Sequence, residues 1–290
     1  MGKIIVTALM AAMAFSMPAS ARDMVQVKGS DTLINLVQRM SEVYMEENPG
    51  KYVSVTGGGS GTGIAAIING RCDIANASRL IKSKEVDLAV AQGVDPRMVT
   101  IAIDGLSIIV NRSNPVEKLT MDQVGKIYRG EVTNWKDLGG EDRKINLYGR
   151  QPNSGTYDFM KEVVMNGDYA SSMKQMNGNA QIVEAVKVDV SGIGYVGVGY
   201  VKDAGPEITV LKIARTAGGY FASPLVTEDV KSGKYPISRP LVQYVSGTPK
   251  GDIRSFIEFE LSPEGQKIVE EEGFFSLSAE YVEYNNKQML

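Results

Sequence analysis

Segments with a strand pattern and segments with a helix pattern alternate along this chain, and that alternation limits its fold more than any other feature. MVQVKG (24–29) alternates apolar and polar residues, as a half-buried strand does. TLINLVQRMSEVYMEENPG (32–50) has the apolar spacing of a helix and stops at Pro49-Gly50. YVSVT (52–56), CDIANAS (72–78) and MVTIAI (98–103) read as strands. Residues 64–70 and 83–93 between them read as helices. Strands separated by helices predict a largely parallel sheet, with binding loops at the carboxyl ends of the strands.

A chain of 290 residues suits two α/β domains or one large one. LSIIVNRSNP (106–115) is a long strand that could carry the chain out of a first domain, and YPISRPLVQYVSG (235–247) could bring it back. Between them lies a second α/β series: helix 120–130, strand 144–150, and helices from 154–167 and at 179–189. SGIGYVGVGYV (191–201) reads as an apolar strand region whose glycines allow close backbone packing. Helices follow around 252–273, and the acidic run Glu270 to Glu272 reads as a solvated helix end. The expected boundaries are 22–107 with 242–290 for one lobe and 108–241 for the other. Two lobes on a two-strand hinge can close over a cleft.

The first 21 residues have a different character. MGKIIVTALMAAMAFSMPASA holds one lysine, an apolar run and a small-x-small end at Ala19-Ser20-Ala21, the pattern of a cleaved secretory signal peptide. The expected location is therefore the periplasm. The single cysteine, Cys72, cannot form an internal disulfide and reads as a buried, inert thiol. The chain has no histidine, which excludes histidine-based triads, acid–base pairs and metal ligands. No metal and no cofactor is expected. With 31 basic and 34 acidic residues there is no basic excess to drive nucleic-acid binding.

Three loops have one design. GGGSGTG (57–63) places five glycines between a strand and a helix. KGSDT (28–32) and GRQPNSGT (149–156) also follow a strand and precede a helix. Each would present helix-start N–H groups, which have no partner inside the helix, together with a hydroxyl. One carries Arg150, whose five donors suit a tetrahedral oxyanion. Taken alone, each loop is an ordinary N-cap. Rival motifs fail on detail. A phosphate loop needs a lysine after the glycines, and none follows. GTGIAA matches a dinucleotide fingerprint only loosely. PNSGT is not a nucleophile elbow, and no histidine could activate Ser154.

With KGSDT, GGGSGTGI, DIANASR, AIDGLSIIVN, GRQPNSGT, GIGYV, YPISRPL and LSPEGQKIV in this order, the chain resembles the phosphate-binding proteins of the phosphate-specific ABC importer. These are two-lobed periplasmic binding proteins. The resemblance covers nearly all of the chain after the leader. It implies an α/β fold of type II, with two mixed sheets flanked by helices and joined by a two-strand hinge. It implies a receptor for inorganic phosphate, not an enzyme, with the importer's permease and ATPase as partners; a monomer is expected.

The family's ligand contacts fall on Thr32 with Ser30 and Asp31 beside it, on Ser60, on Arg150, and on Ser154, Gly155 and Thr156. Gly59 and Arg79 are weaker candidates. One position departs: many members end the third strand in Gly-Ala-Ser-Asp, where the carboxylate accepts the proton that phosphate still carries. Here the strand ends NASR, so Ser78 takes that place. Two readings of Asp31 stay open: it replaces the missing acceptor, with Arg79 balancing its charge, or it caps the first helix. The alternatives in function are a receptor for another oxyanion, such as sulfate or arsenate, and a periplasmic phosphatase using Ser154 or Ser60.

Overall fold

The computed structural model describes residues 24–202 and 204–289. The expected leader, residues 1–21, lies outside the described residues. The first series is β1 (Met24–Gly29), α1 (Ile34–Glu47), β2 (Tyr52–Thr56), α2 (Ser60–Ile68), β3 (Ile74–Ala77), α3 (Ser83–Ala91) and β4 (Pro96–Gly105). The second begins with β5 (Ser107–Asn111), β6 (Lys118–Thr120), α4 (Met121–Arg129), β7 (Asn146–Arg150) and α5 (Gly155–Phe159), which continues as a π-helical turn at Met160–Met165. It goes on through β8 (Lys174–Met176), α6 (Asn179–Val188), β9 (Gly192–Val196), β10 (Ile208–Val210), β11 (Lys212–Ala214) and α7 (Thr227–Lys231). The chain ends with β12 (Ser238–Ser246), α8 (Gly251–Leu261), α9 (Pro263–Glu271) and α10 (Ala279–Gln288).

The strands form two main sheets, ordered β2-β1-β3-β12-β4 and β10-β5-β9-β7-β8, with β11 and β6 as a small third. Neither main sheet is largely parallel, which corrects the expectation from alternation alone. In the first, β1 runs parallel to β2 and β3, but β12 enters antiparallel between β3 and β4. In the second, β5 is antiparallel to both neighbours, while β7 is parallel to β8 and β9.

The chain changes sheet between β4 and β5 and returns at β12. The two passages lie side by side: the Leu106 amide donates to the Ile237 carbonyl at 3.0 Å, and the Tyr235 hydroxyl donates to the Leu106 carbonyl at 2.6 Å. Because β12 begins at Ser238, a boundary at 241/242 falls inside a strand of the first sheet.

Local patterning explains the elements. In β1, Val25 and Val27 are buried while Met24 and Gln26 are exposed, the period of a strand with one wet face. In α1, Leu36, Val37, Met40 and Tyr44 are buried at helical spacing. Burying each such side chain contributes about 1.5–3 kcal/mol. Two helix starts differ from expectation. The second begins at Ser60 instead of 64, since Gly59 makes the corner with φ 90°, a backbone state that glycine reaches without strain. The first begins at Ile34, and among the described residues no side chain caps it. Asp31 therefore does not cap α1.

α10 was not legible. It docks through buried Asn285, which accepts the Thr100 amide at 2.9 Å and donates to the Thr100 carbonyl at 2.7 Å, satisfying the backbone of β4. Cys72 is buried, and that burial pushes its thiol up to about 12, as an inert cysteine requires.

Candidate functional site

The carboxyl ends of β1, β3 and β7 point to the seam between the two main sheets, where antiparallel β12 begins. From the first sheet, the loop after β1 brings Ser30, Asp31 and Thr32; the corner before α2 brings Gly59 and Ser60; and the end of β3 brings Ser78 and Arg79. From the second, β7 ends in Arg150, and Ser154, Gly155 and Thr156 open α5. Ser154 caps that helix, its Oγ accepting the amides of Thr156 and Tyr157 at 3.2 and 3.4 Å.

Five hydroxyls meet. Thr32 Oγ1 lies 3.0 Å from Thr156 Oγ1, across the seam. Ser78 Oγ lies 3.3 Å from Ser60 Oγ and 3.4 Å from Thr156 Oγ1, and it accepts from Ser30 Oγ at 3.0 Å. None of the five residues is more than 3% exposed. Backbone N–H groups set the direction of several bonds: the Ser78 amide donates to Ser60 Oγ at 3.0 Å and the Thr32 amide to Ser30 Oγ at 3.3 Å. A hydroxyl that accepts from an amide keeps its own proton to give: Ser30 gives its proton to Ser78 Oγ, and Ser60 keeps one to donate.

Two glycines let the loops come this close. A Cβ on Gly155 would stand 2.3 Å from Ser60 Oγ, and one on Gly59 would stand 2.5 Å from the Asn153 carbonyl. The glycine-loop amides are mostly spent on protein partners. Gly58 donates to Asp31 Oδ1 at 2.8 Å, Gly59 to the Gly29 carbonyl at 2.8 Å, and Gly61 to the Asn153 carbonyl at 3.0 Å. The glycines thus serve approach between the two sheets more than direct contact with an anion. The first-position amides of Ser60 and Gly155 have no partner within their own helices.

The charged groups divide into three sets. Arg150 is buried, and its Nη2 makes an ion pair with Asp31 Oδ2 while also donating to the Asn177 carbonyl at 2.9 Å. Its backbone amide donates to the Tyr195 hydroxyl at 2.8 Å, and burial pushes that phenol up to about 12. Arg150 Nη1 is buried with no hydrogen-bond partner among the described residues. Such a donor is costly to leave unmet and points to an acceptor that binds there.

Arg79 does not balance Asp31. Its guanidinium meets Glu85 at 2.7 Å and Asp158 at 2.9 Å, and Lys82 joins Asp158 at 2.7 Å, so these residues bridge the two sheets beside the hydroxyl cluster. Arg150 balances Asp31 instead.

The third set is Arg239 and Asp104, which sequence reasoning did not single out as site residues. Asp104 Oδ2 accepts from Arg239 Nη2 at 2.8 Å, and that same Nη2 donates to Thr156 Oγ1 at 3.0 Å. Both lie in stretches that carried the family resemblance, AIDGLSIIVN and YPISRPL, but a lone charge inside a strand gives no local cue to a site. Tyr200 was also missed; its hydroxyl donates to the Asp31 carbonyl at 2.6 Å. Among the described residues no group of three or more His, Cys, Asp or Glu side chains converges as metal ligands would.

Comparison with known proteins shows the family. A family model, the PBP superfamily domain, matches residues 16–264. The phosphate-binding protein PstS of Pseudomonas aeruginosa is 32% identical over 281 residues, covering 90% of this chain and 85% of its own. PstS of Staphylococcus haemolyticus is 32% identical over 253 residues, covering 85% and 79%. Among solved structures, a phosphate ABC transporter substrate-binding protein of Clostridium perfringens with bound phosphate superposes with a TM-score of 0.78 at 29% identity, covering 88% of this chain and 100% of that one. An ABC-type phosphate transport receptor of Vibrio cholerae gives 0.71 at 28%, covering 87% and 100%. With its two mixed sheets, its convergent hydroxyl loops and this breadth of similarity, the chain belongs to the PBP superfamily, among the PstS-type phosphate-binding proteins.

Proposed function

We propose that the chain is a receptor that binds inorganic phosphate at the seam between its two sheets and delivers it to an ABC importer. The observation that carries this reading is Arg150 Nη1, a buried donor with no partner among the described residues, in the same set of loops as the hydroxyl cluster. The ligand contacts are Ser30, Thr32, Ser60, Ser78, Arg150, Ser154, Gly155 and Thr156, with Asp31 holding Arg150. Gly59 supports the approach of the loops, and Arg79 bridges the lobes without touching the ligand. Charge-assisted hydrogen bonds contribute about 1.5–3 kcal/mol each. Several of them, less ordering costs, reach a micromolar or tighter Kd, about −8 kcal/mol or beyond.

The lobes in this reading are residues 22–105 with 238–290, and 107–237. The change of sheet at Leu106 and the return at Ser238 support these limits. Residues 1–21 serve as an export leader, which puts the receptor in the periplasm, and no described helix is long and apolar enough to cross a membrane.

The receptor does no catalysis. Ser154 Oγ is engaged in capping α5, and the chain has no histidine to act as its base. Equilibrium dialysis against labelled phosphate tests the reading: retained label is expected, and no retention would remove it. Turnover of a chromogenic phosphate ester, abolished by Ser154→Ala, would favour the phosphatase instead.

A further inference from the structure

Arg239 and Asp104 stand opposite each other in the β12–β4 ladder and are 3% and 0% exposed. Asp104 Oδ2 accepts Arg239 Nε at 3.0 Å as well as Nη2. Burial pulls the Arg239 guanidinium below its ordinary value, and Asp104 opposes that. A buried pair of this kind adds little stability by itself, because desolvation offsets most of the attraction. Its contacts suggest another use. Nη1 donates to the Ser78 carbonyl at 2.8 Å, which fixes the end of β3. The remaining contacts cross the seam. Nη2 reaches Thr156 Oγ1, Asp104 Oδ1 accepts the Val198 amide at 2.8 Å, and the Phe159 ring lies 5.0 Å from the guanidinium carbon. Thr156 and Phe159 are both on α5.

A guanidinium has five donors and no acceptor. Thr156 Oγ1 must therefore accept from Arg239, and its single proton is left for another partner. The other polar neighbours of that oxygen are the hydroxyls of Thr32 and Ser78 in the anion cradle. We infer that Arg239 is a positioning residue for the anion: it holds the Thr156 hydroxyl as a donor to bound phosphate, and ties that alignment to the approach of α5 toward the first sheet. The inference rests on the phosphate reading. It also explains why the arginine is matched by Asp104. The pair directs a hydrogen bond without adding net charge to the site.

The test is a cycle of variants, read as phosphate affinity by calorimetry and as melting temperature without phosphate. Arg239→Lys keeps a cation opposite Asp104 but loses the fork that serves both Asp104 and Thr156. It is expected to melt close to the parent and to bind phosphate about tenfold more weakly. Thr156→Val is expected to cost at least tenfold in the parent and less than about threefold more in the Arg239→Lys background, since the two act through one bond. Replacing the pair by Arg239→Met with Asp104→Leu avoids stranding a buried charge, and should weaken phosphate by a similar factor. Parent-like affinity in both the lysine variant and the paired variant would overturn the assignment. So would losses that simply multiply in the double variant, as a purely structural role requires. A parent that binds no phosphate would overturn the receptor reading and this one together, whereas a binding parent with indifferent variants removes only Arg239.

Discussion

Arg150 and Asp31 come from different sheets and are joined by an ion pair between Nη2 and Oδ2, while Arg150 Nη1 has no hydrogen-bond partner among the described residues. The carboxylate thus aims the arginine without using all its donors. Arg150→Ala is expected to cost at least about 2 kcal/mol of phosphate binding, since a buried charged donor disappears. Calorimetry of the variant checks this, and near-normal affinity would remove Arg150 from the site.

Asp31→Asn separates two consequences of the same pair. The carboxylate accepts Gly58 N–H through Oδ1 and Arg150 through Oδ2, and each oxygen has a further lone pair. If it also takes the proton that phosphate carries, the asparagine variant loses preference for phosphate over sulfate as well as affinity. Paired titrations with both anions read this. Unchanged selectivity would leave Asp31 only the task of orienting Arg150.

Gly155 opens α5 with its Cα against Ser60 of the other sheet. Gly155→Ala places a methyl 2.3 Å from Ser60 Oγ, so the loops must separate. The expected result is at least a tenfold loss of phosphate affinity, on the order of 1.4 kcal/mol or more, with a melting temperature near that of the parent. The contact lies between sheets, not within either core. A large drop in melting temperature with intact binding would place the strain inside one sheet.

Glu260 gives the fold a pH dependence away from the site. It is fully buried on α8, with Oε1 accepting from Gln243 Nε2 at 2.9 Å. Glu260 Oε2 and Gln243 Oε1 are both buried without hydrogen-bond partners among the described residues. Burial raises this carboxyl to about 8, against the pull of Gln243. An unfolded glutamate titrates near about 4.3, so between that value and about 8 the folded chain holds a proton the unfolded chain has lost. Stability from this group is whole at low pH and is lost as pH rises through that window. Glu260→Gln should therefore match the parent near about pH 4 and exceed it by a few kcal/mol near about pH 8. Denaturant midpoints at the two pH values measure it. A variant no more stable at the higher pH would mean that Glu260 ionises in the fold without cost.

Much of this was legible because the cues are local. Strand alternation, helical spacing and glycine corners act over a few residues, so β1, β2, α1 and the three hydroxyl loops could be read directly. What escaped depends on distant partners. β8, β10 and β11 have three residues each, too few to show a period of two. The antiparallel entry of β12 follows from pairing with β3 and β4, which no local pattern encodes. Arg239 and Asp104 lie 135 positions apart and acquire a role only when that pairing forms. Arg79 sat at the expected place but had carboxylates of its own, Glu85 and Asp158, that a one-dimensional reading could not bring to it.

The most direct test of the central claim is calorimetric titration of the protein, freed of bound anion, with phosphate and then sulfate at neutral pH. Micromolar or tighter binding of phosphate, about −8 kcal/mol or beyond, with little response to sulfate, is the predicted result. Comparable binding of both anions would contradict phosphate selectivity, and binding of neither would contradict the anion site itself.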